Sequence, residues 1–150
     1  WGNDAFQNYE TIAGGTGAGP GFDGCDAVQS HMTNTRMTDP EILEKRFPVR
    51  LLEFGICDGS GGAGQWRGGH GSYRRMWFGV PVTVTTLCSH RIVPPFGVNG
   101  GATGAVGRNW AELPDGTHLD LKGNDEIDLS AGGIFGMATP GGGGWGLPEG

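Results

Sequence analysis

The sequence predicts a mainly β domain of the α+β class, a β-sandwich or irregular barrel with one short helix and long glycine-rich loops. Three observations carry that prediction. Short apolar runs alternate in the period of strands, while a helix-start signal stands out only at "TDPEILEKR". Glycine supplies 32 of 150 residues, about three times the ~7% of ordinary chains. Tryptophans, phenylalanines and β-branched runs lie between the glycines, so the composition is that of a folded domain with many turns. The length is that of one domain. No repeat and no linker divides the chain, and residues 1–150 are expected to form a single domain.

Residues 1–29 hold few periodic apolar positions, and "GGTGAGPGFDG" (14–24) is a loop by composition. Regular structure begins where Thr38 or Asp39 can cap a helix, Pro40 suits its first turn, and Glu41 and Glu44 favour the positive end of its dipole. The next segment, "FPVRLLEFGI" (47–56), places Val49, Leu51 or Leu52, Phe54 and Ile56 in the rough alternation of a strand. After the glycine-rich "CDGSGGAGQWRGGHG" come "SYRRMWFGV" (72–80) and "VTVTTLCSH" (82–90), the latter with Val82, Val84 and Thr86 on one face. Pro81 is expected to bend or offset the two. "GRNWAEL" and "THLDL" flank "PDG", a hairpin turn, and "DEIDL" and "IFGMATP" supply the last strands.

The formal charge of −6 and pI near 5.0 exclude a nucleic-acid surface, which needs clustered basic residues; Lys45 and Lys122 are the only lysines. No apolar run approaches the ~20 residues needed to cross a bilayer. Cys25, Cys57 and Cys88 are far apart and odd in number, so reduced thiols in a cytoplasmic protein are expected. The chain opens at Trp1 with neither an initiator methionine nor a signal peptide. It therefore reads as a piece of a longer polypeptide.

Three windows fit G-x-G-x-x-G: "GPGFDG" (19–24), "GSGGAG" (59–64) and "GGGGWG" (141–146). None sits between a strand and a helix or carries a P-loop Lys-Ser/Thr, so all three read as turns rather than nucleotide sites. His31, His70, His90 and His118 lack the close spacing of metal ligands. No metal site and no cofactor site is expected within the chain.

The polar block "SHMTNTRMTD" (30–39) stands apart. It offers His31 as a base near neutral pH, Thr33 and Asn34 as donors to a carbonyl, and Arg36 as a fork for a carboxylate. Asp23 and Asp26 lie just upstream, beside a glycine loop whose amides can approach a ligand. On pattern alone, a site wall and a polar turn preceding the helix stand about even.

"GGTGAGPGFDG", "HMTNTRMTDPEILEKRFPVRL", "GSGGAGQWRGG", "PPFGVNGG", "GRN" and "TPGGGGWG", in this order, resemble the C-terminal part of the hydantoinase B/5-oxoprolinase family. The likeness spans about residues 8–147. That family includes ATP-dependent 5-oxoprolinases, N-methylhydantoinase B subunits and related acetone and acetophenone carboxylase subunits. The resemblance implies an enzyme that opens a cyclic amide or imide at the expense of ATP. Its partners would be a hydantoinase A-type ATP-binding half, the remainder of the B-type chain and a small cyclic amide. It implies that ATP, and a divalent metal where the intact enzyme uses one, are held outside this piece. It also favours the site wall: His31 as proton carrier, Thr33, Asn34, Arg36 and Asp23 as substrate contacts. His70 and His90 stand where the family commonly carries acidic residues, so neither is assigned a catalytic role. Two alternatives share the scaffold, a non-catalytic docking module of the same complex and a carboxylase subunit.

Overall fold

The computed structural model of the chain describes residues 1–30 and 35–148. Its one helix, α1 (Pro40–Arg46), begins where the Asp39 carboxylate accepts the Glu41 amide at 2.9 Å and buries Leu43 completely. Seven strands follow: β1 (Val49–Ile56), β2 (Ser72–Phe78), β3 (Val82–Leu87), β4 (Arg108–Glu112), β5 (His118–Leu121), β6 (Asn124–Leu129) and β7 (Ile134–Ala138). They form a five-stranded sheet in the order β1-β2-β7-β4-β5 and a two-stranded sheet of β3 and β6. Every pairing is antiparallel. The sheets are open, so the architecture is the sandwich rather than the barrel.

One core joins the two sheets and the helix. Met76, Phe78, Ala111 and Phe135 come from the larger sheet, Val82, Val84 and Leu129 from the smaller, and Leu43 from α1. Pro81 lies where the chain leaves one sheet for the other, so β2 and β3 do not pair at all. The "PDG" turn behaves as expected: Gly116 adopts φ +87° and the Leu113 amide bonds to the Thr117 carbonyl. The aperiodic N-terminus is not peripheral. Trp1 packs edge-on against Phe6, Phe47 and Phe78, and Gly2 exchanges two backbone hydrogen bonds with Thr83 beside β3.

The choice between Leu51 and Leu52 is resolved by a β-bulge. Leu51 pairs with Met76 but Glu53 pairs with Arg75, leaving Leu52 as the extra residue. Val49 and Leu51 face inward before the bulge; after it, Phe54 and Ile56 lie opposite Arg74 and Ser72 on the same inner side. Both remain partly exposed because β1 is an edge strand.

The inner rows change character along the sandwich. In β2 the buried positions run Phe78, Met76, Arg74, Ser72; in β3 they run Val82, Val84, Thr86; from β7 the inner row runs Phe135, the partly buried Met137, and Thr139. The core is apolar at one end and polar at the other.

Candidate functional site

Beyond the polar end, four segments without regular structure, near residues 14–27, 59–71, 96–107 and 140–146, interlock through glycine backbones. The central run Gly141–Gly144 shows why glycine is required. A Cβ on Gly141 would overlap the Ser60 carbonyl, on Gly142 the Thr16 carbonyl, on Gly143 the Phe96 carbonyl and on Gly144 the Ala63 carbonyl. Four consecutive residues thus press against three surrounding segments, the steric logic that places glycine at the axis of collagen. Hydrogen bonds hold the bundle: Gly142 N–H to Gly69 O at 2.8 Å, Gly62 N–H to Gly142 O at 2.8 Å, Ala18 N–H to Gly143 O at 2.9 Å. The windows that mimic nucleotide motifs are this bundle's strands. Most of their glycines serve backbone-to-backbone approach, while Gly21 and Gly59 take positive φ in open space.

Carboxylates fasten the 23–27 segment to it. Gly24 and Ala27 donate to the carbonyls of Arg67 and His70. In return Asp23 Oδ1 accepts the Arg67 amide at 2.6 Å, and Asp26 Oδ1 accepts the His70 amide at 2.7 Å and Arg67 Nη1 at 3.1 Å. His70 Nδ1 accepts the Gly61 amide at 2.9 Å, which leaves the ring proton on Nε2 when the imidazole is neutral. The His70 amide first, and Arg67 second, hold the Asp26 carboxyl below the usual aspartate range. Because its folded value is the lower one, Asp26 stabilises the fold above the ordinary value of 3.8 and loses that effect as pH falls through the folded value. Hydrogen-exchange protection of the His70 amide, corrected for intrinsic rates, is expected to fall across that window and to become pH-independent there in Asp26→Asn. Unchanged pH dependence in the variant would contradict the assignment.

Of the residues singled out from the sequence, Asp23 lies on this surface, exposed, with one oxygen engaged by the Arg67 backbone. Arg36 is also exposed and makes no ion pair among the described residues. His31, Thr33 and Asn34 lie outside the described residues. The cysteines are unbridged, and burial pushes the Cys57 thiol up. Among the described residues no three His, Cys, Asp or Glu side chains are grouped to hold a metal ion, and no helix is long and apolar enough to cross a membrane.

A second polar feature went unremarked in the sequence. A cavity of about 420 Å³ opens at the polar end of the sandwich, between the inner rows of β2, β3 and β7 and the N-terminal segment. Arg74 and Glu10 line it as an ion pair of 2.9 Å, with both side chains more than nine-tenths buried. The pair is joined at one point only, and Arg74 Nε and Glu10 Oε1 are buried without hydrogen-bond partners. Each such atom carries a penalty of about 1–3 kcal/mol while it stays unpaired. The signal was present in "SYRRMWF", where Arg74 interrupts the inward row Ser72–Met76–Phe78. Choosing it over Arg75 requires knowing which face is buried.

These features, a glycine-backbone bundle fused to an open antiparallel sandwich, coincide with a defined family. Over residues 1–148 the chain matches the family model for hydantoinase B/oxoprolinase, and it belongs to that family. It is 48% identical over 146 residues to 5-oxoprolinase 1 of Arabidopsis thaliana, covering 97% of this chain and 12% of that protein. It is 44% identical over 149 residues to a 5-oxoprolinase of Dictyostelium discoideum, covering 99% of this chain and 12% of that one. In structure it is similar to the ATP-dependent caprolactamase of Pseudomonas jessenii. That likeness has a TM-score of 0.74 and 25% identity, over 90% of this chain and 24% of the other. The chain thus spans about an eighth of the length of the curated relatives named here.

Proposed function

We propose that the chain is part of an ATP-dependent cyclic amidohydrolase that opens 5-oxoproline, a hydantoin or a similar lactam or imide. It works there with a hydantoinase A-type ATP-binding half and with the rest of a B-type polypeptide, in the cytoplasm. The observation that carries this reading is the identity to 5-oxoprolinases, sustained over nearly every residue of the chain. The likeness to a lactam-opening enzyme agrees with it.

The chemistry divides naturally between two halves. A lactam carbonyl is a poor electrophile, and phosphorylating its oxygen creates a leaving group. The second half must then supply donors to the developing oxyanion, a proton carrier and exclusion of bulk water. His31 is assigned the proton transfers, Thr33 and Asn34 the carbonyl contacts, Arg36 the anionic group, and Asp23 a further substrate contact. The glycine bundle offers little support for a nucleotide site in this chain. The glycine amides of the bundle that resemble a phosphate cradle, such as Gly62, Gly142 and Gly144, already donate to carbonyls. ATP is therefore assigned to the partner half, and a divalent metal, where the enzyme uses one, to residues outside the described ones.

The test is a substrate panel for the full-length protein with its A-type half, ATP and a divalent metal. 5-Oxoproline, hydantoin and caprolactam are followed for ring opening, alongside a ketone with labelled bicarbonate. Ring opening of one cyclic amide without incorporation of label is expected. Label incorporated into a carboxylated ketone, with all rings left intact, would make the chain a carboxylase part instead.

A further inference from the structure

Three arginines of this chain show how a guanidinium is used here. Arg75 holds two carboxylates: Nη1 binds Glu53, while the Nε–Nη2 edge grips Glu112 at both oxygens, 3.0 and 2.8 Å. Arg91 applies the same Nε–Nη2 edge to Asn109 Oδ1, at 3.1 and 3.0 Å. Arg74 copies half of the Arg75 pattern. Its Nη1 binds Glu10 at 2.9 Å, but among the described residues the Nε–Nη2 edge holds nothing. That edge carries two parallel N–H groups, the fork that matches a carboxylate.

The surroundings favour the same occupant. Arg74 is nine-tenths buried in the wall of the cavity at the polar end of the sandwich. Of the side chains lining that cavity, Arg74 and Arg91 are cationic and Glu10 is the one carboxylate, so the wall carries a net positive charge in a chain of net −6. Arg91 has no carboxylate partner among the described residues, and burial lowers its affinity for the proton. The remaining wall is apolar on one side, with Met76, Val84, Phe135 and Met137, and hydroxylic on the other, with Thr86 and Thr139. A volume of about 420 Å³ suits a small molecule rather than a folded partner.

We propose that the mouth of the sandwich is a binding site for a small carboxylate with an apolar body, gripped by the Nε–Nη2 edge of Arg74 while Nη1 stays on Glu10. Among the described residues, none that lines the cavity belongs to the polar block at residues 31–36, and the proposal does not depend on the reaction assigned to that block. Glu10 is then a positioning residue, holding Nη1 and so leaving the rest of the guanidinium without a partner in the cavity wall among the described residues.

The same chemistry has a second source, an Asp or Glu side chain or a chain terminus of the full-length polypeptide, and the experiment separates the two. Benzoate and hexanoate, with benzamide and hexanamide as neutral controls, are titrated calorimetrically into the full-length protein at low ionic strength. Saturable binding of an acid with no comparable binding of its amide is expected. Arg74→Lys keeps a charge for Glu10 but removes the fork, and is expected to weaken acid binding by about tenfold or more. Met137→Trp, directly opposite Arg74 in the β2–β7 register, fills the apolar side of the cavity and is expected to abolish binding; near-UV circular dichroism reports the folding of both variants. If Arg74→Lys does not fold, Met137→Trp decides alone. Equal affinity for acid and amide, no saturation, or acid binding undiminished in the folded variants would overturn the proposal. So would a structure of the full-length protein with one of its own carboxylates on the Arg74 fork.

Discussion

Gly142→Ala is expected to lower the melting temperature of the protein by roughly 6–12 °C, taking an overpacking cost of about 3 kcal/mol at 2–4 °C each. The new methyl group meets the Thr16 carbonyl and the Gly17 amide, both backbone, so no side chain can swing aside. Relief requires the 14–18 segment to move away from the 140–146 run. That movement stretches the bonds from Gly15 to Pro140 O at 3.0 Å and from Ala18 to Gly143 O at 2.9 Å. The matched control is Gly17→Ala. Its nearest neighbour would be Gly143 O at 3.9 Å, an ordinary contact, and its backbone is not in the left-handed region. There the expected effect is neutral or a gain of about 0.4–1 kcal/mol from the less flexible unfolded chain. Equal melting temperatures for the two variants would show that the glycines are there for turns and not for packing.

The strands were most legible where they bury an alternating row, as β2 and β3 do. "VTVTTL" shows Val82, Val84 and Thr86 on one face in the sequence and buries those same residues in the fold. The helix was legible because Asp39 and Pro40 carry a local signal that needs no tertiary context. What composition could not convey was that the glycine segments pack on one another. A glycine required for close approach looks the same in sequence as one required for a turn, and the difference appears only when Ser60, Thr16, Phe96 and Ala63 are placed around the 141–144 run. Of the amides in the 14–24 loop, those of Gly15, Ala18, Gly19 and Gly24 donate to backbone carbonyls. Trp1 was missed because a single aromatic residue has no period. The Arg74–Glu10 pair was missed because its partners are 64 residues apart. Recognition of the family rested instead on long motif blocks, and on the same blocks the polar site is proposed at residues 31–36.

In the full-length enzyme, Asn34→Ala is expected to cut kcat by on the order of a hundredfold, the cost of losing one donor to a developing oxyanion. Attack of water on the phosphorylated amide carbon gives a tetrahedral adduct whose water-derived oxygen becomes negative as its proton is taken up, a charge the ground state lacks. A donor aimed at that charge therefore acts on kcat more than on KM. Asn34 is assigned this role because its amide is uncharged and donates at every working pH, whereas His31 must change protonation state to carry protons. Arg36→Ala, by contrast, is expected to raise KM for a substrate bearing a carboxylate more than it lowers kcat. Near-normal kcat in Asn34→Ala would reduce the polar block to scaffolding. The pH profile separates the roles: His31→Gln is expected to remove an inflection near neutral pH that Asn34→Ala leaves in place.

The most direct measurement is the coupling of ATP to ring opening in the full-length protein with its A-type half. ADP release and opened product are followed together with 5-oxoproline, and hydantoin if that ring is preferred. Equimolar ADP and product are expected, with neither formed when ATP or the ring is left out, and neither formed by residues 1–150 alone under the same conditions. Ring opening without ATP, or ATP hydrolysis by residues 1–150 alone, would contradict the proposed division of labour between a phosphorylating half and a hydrolytic half.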